Sequence, residues 1–270
     1  MTSRQTIQLH CDSKDGQKHN STMNSNVTFF INPPITINRE VENLSFCVNT
    51  FEIPISFYLV NDTNNKIRYN YNGAINTVYI DKSNYSGKQL GEMINDLIPT
   101  ITIVFDKYSF KLSFTATSPF TLYKDSSAFD LMGFYTDTDK VAQYDGQNYK
   151  LISDKPVNLS GTKNLVIYTD LALNTITTKG HSNILLKAPI NCSFGEIYFY
   201  DNYKAEELNL SQNVLTSIQI KIKDDYNNYV DLQGFDWSCS MTFFITKKSN
   251  EEIVKANEQI MGLHNNETGK

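Results

Sequence analysis

Residues 44–58 read Leu-Ser-Phe-Cys-Val-Asn-Thr-Phe-Glu-Ile-Pro-Ile-Ser-Phe-Tyr, and Leu44, Phe46 and Val48 alternate there with Ser45, Cys47 and Asn49. A period of two is that of a strand with one face in a core. Pro54 has no backbone donor and cannot continue a sheet ladder, so the strand is expected to end near Ile53 and pass into the aromatic pair Phe57-Tyr58. The stretch reads as strand, stop and aromatic anchor, with no catalytic arrangement.

The same alternation recurs outward in both directions. Ile7, Leu9 and Cys11 alternate with Gln8, His10 and Asp12, and the polar run 13–26 that follows reads as a loop or arm. Residues 27–31 form a further expected strand, closed by the break Asn32-Pro33-Pro34. Toward the other end, strands are expected at 165–168, 184–187, 195–200 and 214–223. In the last of these Ile218, Ile220 and Ile222 alternate with Gln219, Lys221 and Lys223, giving one buried and one wet face. A turn at 224–228 leads to a final strand with Trp237, Cys239, Met241, Phe243 and Ile245 on one face and Ser238, Ser240 and Thr242 on the other. These flanks supply about eight strands with no helix needed between them, the strand number of a single jelly-roll sandwich.

Between them the pattern changes. Strands at 66–71 and 77–80 precede a helix, and strands at 100–105, 109–114 and 120–123 follow, with a short helical turn at 127–131 and a loop at 135–148. Ser86 and Gln89 form a capping box, Tyr85 and Leu90 occupy hydrophobic-staple positions, and Leu90, Met93, Ile94 and Leu97 make one apolar stripe that stops at Pro99. A helix lying across several strands is a small α+β module, and it divides the chain into 1–65 (N-terminal strands of the jelly roll), 66–150 (the α+β insertion domain) and 151–248 (its C-terminal strands). A second capping box, Ser249 with Glu252, opens a tail over 249–270 whose Ile253, Ala256, Ile260 and Leu263 form a narrow helical stripe.

The 270 residues include 16 Tyr and 16 Phe, with 40% hydrophobic content, which favours a folded, β-rich domain over a disordered chain. A formal net charge of -5 without a Lys/Arg block argues against a general grip on nucleic acid. The first residues lack the apolar core of a signal peptide, and no run is long enough to span a bilayer, so synthesis in the cytosol is expected. The sequons at Asn20, Asn26, Asn61 and Asn158 are then expected to stay bare.

Catalytic chemistry finds little footing. Cys11, Cys47, Cys192 and Cys239 stand apart with no Cys-x-x-Cys spacing and are expected to be reduced. A Cys/His pair would draw its base from His10, His19, His181 or His264, none of which sits in a nucleophile motif. Cys11 and Cys239 fall on apolar strand faces, and Cys192 has no neighbouring activator. Asp137-Thr-Asp139 has the spacing that begins a calcium loop, but Ala142 and Asn148 stand where its glycine and glutamate belong. Gly87 and Gly91 belong to the helix and make no phosphate loop. Asp170 in Thr169-Asp-Leu171 reads as a turn former. No enzyme, metal or cofactor is expected.

Several segments, in order, resemble the penton, or minor capsid, proteins of virophages and Polinton-like viruses: Leu9-His-Cys-Asp-Ser13, Ile53-Pro-Ile-Ser-Phe-Tyr58, the helix around Ser86 to Leu97, Leu131-Met-Gly-Phe134, Leu165-Val-Ile-Tyr-Thr-Asp-Leu171 and Val230-Asp-Leu-Gln-Gly234. The resemblance runs over about 240 residues. It implies a structural virion protein, a single jelly roll forming a homopentamer at the vertices of an icosahedral capsid, beside a double jelly-roll major capsid protein and with an outward-facing insertion. It does not extend to the tail. The alternative is a carbohydrate- or receptor-binding sandwich, for which Tyr198, Tyr200 and Tyr203 are the candidate exposed aromatics, although core and turn packing is the favoured reading of that set. A sandwich hydrolase would need a carboxylate pair or a Ser/His/Asp set gathered in a cleft.

Overall fold

The computed structural model describes residues 4–38, 40–171, 175–177, 180–202 and 206–249, with the side chains of 175–182 excepted. The expected tail helix therefore lies outside the described residues. The chain forms two compact units, Met1–Phe57 with Lys163–Lys270, and Tyr58–Thr162. In chain order the first unit opens with β1 (Arg4–Asp12), β2 (Gln17–Lys18), β3 (Asn26–Thr36) and β4 (Glu42–Pro54). The second holds β5 (Lys66–Tyr71), β6 (Ala74–Tyr79), α1 (Gly87–Leu97), β7 (Thr102–Asp106), β8 (Lys111–Ala116), β9 (Phe120–Leu122), β10 (Lys140–Val141), β11 (Gln143–Tyr144) and β12 (Tyr149–Ile152). The first unit then resumes with β13 (Asn164–Thr169), the small hairpin β14 (Thr175–Thr177) and β15 (Gly180–Ser182), β16 (Ile184–Pro189), β17 (Ile197–Asp201), β18 (Leu208–Leu210), β19 (Val214–Lys223) and β20 (Ser238–Lys247).

The first unit is a β-sandwich of two antiparallel sheets. One runs β1-β20-β4-β17, with β18 farther along the same side of β4, and the other runs β16-β13-β19-β3-β2. The inward residues of both sheets meet in one core that includes Val27, Phe29, Leu44, Phe46, Phe51, Ile53, Ile167, Ile218, Ile220, Ile222, Met241 and Phe243. Phe46 and Phe243 are direct cross-strand partners with ring centroids 5.5 Å apart, a pairing worth about 0.5–1.5 kcal/mol beyond its burial.

Within β4 the ladder to β20 slips by one residue, since Thr50 faces Ser240 and Val48 faces Met241. Asn49 is thus the extra residue of a bulge, and Phe51 and Ile53 return to the same inner face as Leu44, Phe46 and Val48. Asn49 compensates by donating its Nδ2 hydrogen to Thr242 Oγ1 at 2.8 Å.

Two local expectations need correction. Asn32-Pro33-Pro34 does not end the strand. Pairing with β19 lapses after Phe30 and resumes at Ile35, so the donor-less prolines occupy an outward bulge inside β3. The 13–26 run is also no free arm, because Ser13, Asn24 and Ser25 are fully buried and Ser13–Asp15 forms one 3-10 turn before β2 joins the edge of the sheet.

The second unit pairs its strands as β10-β9-β5-β6 and β11-β12-β8-β7 around a second core built from Ile67, Leu90, Ile94, Ile103, Leu112, Phe114, Phe129 and Phe134 among others. It begins before residue 66, because Val60 pairs with Ser83, and it runs past residue 150, because Val157 and Leu159 pack on this core. The capping box of α1 is formed in both directions: Ser86 Oγ accepts from Gln89 N at 3.3 Å and Gln89 Oε1 accepts from Ser86 N at 2.9 Å. Gly87 lets the first turn lie flat against Phe105, whose ring would stand 2.3 Å from a Cβ there. The expected loop at 135–148 carries β10 and β11.

Candidate functional site

The structure disperses the sequence candidates for chemistry. Cys11 faces the core at 3% exposure, whereas its neighbour His10 lies on the exposed outer face, so alternation itself separates thiol and imidazole. His19 Nε2 lies 2.9 Å from Thr28 Oγ1. The side chain of His181, and all of His264, lie outside the described residues. Cys11 and Cys239 are direct partners across β1 and β20. The Cys239 thiol is pushed well above the ordinary thiol value by its hydrogen bond to Cys11 and by burial. Burial, and then the charge of Glu196, raises Cys192, and burial raises Cys47. Cys11 is lowered by its hydrogen bond with Cys239 and not by a cation, and the Arg4 charge near Cys47 does not overcome burial there.

The three candidate carboxylates accept from backbone N–H groups. Asp137 Oδ1 accepts from Thr138 N at 2.9 Å, while Asp139 Oδ1 accepts from Lys124 N at 2.9 Å, so the two do not converge. Asp170 Oδ1 accepts from Gln219 N at 2.8 Å, which ties the end of β13 to its neighbour strand. Among the described residues no three His, Cys, Asp or Glu side chains gather in the manner of cation ligands.

One polar cluster forms around the buried Ser13 and Asn24, and no local pattern in the sequence points to it. Asn24 Nδ2 lies 2.8 Å from Phe235 O, 2.9 Å from Asp236 Oδ1 and 3.2 Å from Ser13 Oγ. Asp236 Oδ1 also accepts from Ser13 Oγ and from Lys18 Nζ, each at 2.9 Å. The Lys18 contact lowers the Asp236 carboxyl against the opposing effect of burial, with further help from Ser13 and Asn24. These bonds hold the 13–26 segment against the start of β20, and their role is structural.

The aromatic set at β17 packs inward, the favoured reading of it, and not as the binding face of the alternative. Tyr198 is buried at 5%, and Tyr200 packs against the core, while Tyr203 lies outside the described residues. The outward residues are Ile197 and Phe199, 66% and 55% exposed. The outward pair escapes a reading of the sequence because Ile-Tyr-Phe-Tyr has no polar residue to mark the wet face. Glu52 is the cross-strand partner of Phe199, Pro54 that of Ile197, and Asp201 continues the stripe. Exposed Phe235 lies beside it, sharing a shallow cleft with Glu52, Pro54 and Ile197. Glu52 and Asp201 have no cation partner among the described residues.

The outer face of the other sheet differs in kind. Tyr168 stands opposite Lys221, and Val166 stands between Lys187 and Lys223. Lys187 pairs with Asp225 at 3.4 Å, and Lys223 Nζ lies 5.4 Å and 4.9 Å from the ring centroids of Tyr168 and Tyr229. Lys221 and Lys223 have no carboxylate partner among the described residues. The outer faces of the two sheets of the first unit thus differ: one carries Ile197 and Phe199 beside Glu52 and Asp201, and the other carries Tyr168 and Tyr229 beside Lys221 and Lys223, with Lys223 Nζ donating to Asn227 Oδ1 at 2.9 Å.

No family model matches the chain, and no curated protein does. Among solved structures, the chain is similar to the mavirus penton protein, with 14% identity, 90% of this chain and 100% of that chain covered and a TM-score of 0.47. The D2-D3 domains of the flagellar cap protein FliD from Escherichia coli follow at 11% identity, 83% and 100% coverage and a TM-score of 0.24. VP17, a capsid protein of bacteriophage P23-77, stands at 4% identity, 92% and 100% coverage and a TM-score of 0.20.

Proposed function

We propose that the chain is a structural virion protein, the penton subunit that closes the vertices of an icosahedral capsid as a homopentamer. The carrying observation is the strand order of the first unit. Taking β2-β3 as one strand position and β17-β18 as another, the sheets read first-eighth-third-sixth and second-seventh-fourth-fifth, which is the two-sheet arrangement of a jelly roll. The second unit enters between the third and fourth strands of that order, a loop position where an insertion leaves both sheets intact. A sandwich with two outer faces of different chemistry suits a building block. The resemblance of the ordered segments to penton proteins supplies the number five and the neighbour, a double jelly-roll major capsid protein. The tail from Ser249 is assigned to assembly. Native mass measurement over a concentration series tests the self-association: a species of five 30.8 kDa chains is expected at the upper end, and a stable dimer or trimer contradicts the pentamer.

A further inference from the structure

Resting on that reading, we propose that the stripe Ile197, Phe199, Asp201 and Glu52 of one copy docks on the Tyr168, Lys221 and Lys223 face of a second copy. The two surfaces lie on the outer faces of opposite sheets of one sandwich, since the residues alternating with them, Tyr198, Ile53, Ile167, Ile220 and Ile222, meet in the shared core. A contact between unlike faces is heterologous, so each copy offers one donor face and one acceptor face, and repetition closes into a ring when the rotation is right. The complementarity is in charge and in surface type. Among the described residues Glu52 and Asp201 are carboxylates without a cation partner, and Lys221 and Lys223 are ammonium groups without a carboxylate partner, so two meet two. Ile197 and Phe199 offer apolar area to the rings of Tyr168 and Tyr229. In such a contact the apolar groups supply affinity, whereas the charges fix register and reject the two-fold alternative that would set carboxylate against carboxylate.

The test uses the full chain at a concentration where it self-associates. A carbodiimide joins a carboxylate to an amine in direct contact without a spacer, and peptide mass spectrometry finds the joined residues. Glu52 or Asp201 is expected linked to Lys221 or Lys223 in species above monomer mass and absent from the monomer, because within one copy these groups stand on opposite sides of the sandwich. Glu52→Lys and Lys221→Glu are each expected to weaken self-association by about tenfold or more at low salt, and the chain carrying both is expected to recover it. Both positions lie on the outer faces, and thermal unfolding of each variant verifies that it is folded. Oligomers whose links and affinity ignore these charges, or two weakened single variants without recovery in the double, overturn the docking face and leave the capsid reading standing. A chain that is monomeric at every concentration and absent from particles overturns that reading and the inference with it.

Discussion

Trp237 donates its indole Nε1 hydrogen to the backbone carbonyl oxygen of Asn24 at 2.8 Å, joining residues 213 positions apart at the start of the last strand. The same tryptophan packs edge-on against Phe29 at 5.7 Å and stacks on Phe51 at 6.1 Å, so one side chain touches both sheets. The polar segment between β1 and β3 is therefore part of the sandwich, fixed by a tryptophan on one side and by the Asn24 amide on the other.

Asn24 has a positive φ of 54° and is fully buried. Asn24→Ala is expected to cost the sandwich about 1–3 kcal/mol, combining the lost hydrogen bonds to Phe235 O and Asp236 Oδ1 with a left-handed backbone that alanine disfavours. Asn24→Gly, which accepts the backbone, is expected to cost about 1 kcal/mol less. Urea unfolding of both variants checks this, and an alanine variant as stable as the parent contradicts it.

Asp236 governs one acid transition. Its folded-state value lies below the ordinary 3.8, chiefly through Lys18, so its contribution is complete above the unfolded-state value and is lost as the pH falls through the folded one. Stability measured from neutral pH down is expected to drop below about pH 4. Asp236→Asn is expected to lower stability at neutral pH and to flatten that drop; an unchanged slope contradicts the assignment.

Two glycines of α1 are expected to behave oppositely. A Cβ on Gly87 would stand 2.3 Å from the Phe105 ring, so Gly87→Ala is expected to destabilise the second unit by about 1–3 kcal/mol. At Gly91 the nearest atom, on Leu112, is 3.4 Å away, and Gly91→Ala is expected to be neutral or stabilising by up to about 1 kcal/mol. Chemical denaturation of the pair separates steric from propensity effects.

What was legible in the sequence was local. β19 and β20 alternate over ten residues each, and their inner faces were readable from Ile218 to Ile222 and from Trp237 to Ile245. The capping box at Ser86 lies within four residues and needs no partner elsewhere. The bulge at Asn49 left a trace, the step of three from Val48 to Phe51. The docking of Asn24 left none, because its partners Phe235 and Asp236 are more than 200 positions away. The short strand β18 is too brief for a period to show. The order of strands within each sheet follows from long-range pairing that no single segment encodes.

Four reactive thiols are expected in denatured protein without reductant, since all four cysteines are free. In the folded protein Cys192, half-buried, is expected to react first, slowly at neutral pH because its thiol is raised, while Cys11, Cys47 and Cys239 wait for unfolding. Timed labelling with mass spectrometry checks the order.

Each unit has its own core, so replacing Tyr58–Thr162 by a short Gly/Ser linker is expected to leave a sandwich that unfolds cooperatively. Loss of the cooperative transition in the shortened chain would show that one unit depends on the other.

The most direct test of the penton assignment is a reconstruction of the intact particle with this chain located in it. Density for five copies of the two-sheet sandwich around each fivefold vertex is the result expected. The chain at a threefold or general position, or its absence from particles while present in infected-cell extract, would contradict the assignment even with the sandwich fold correct.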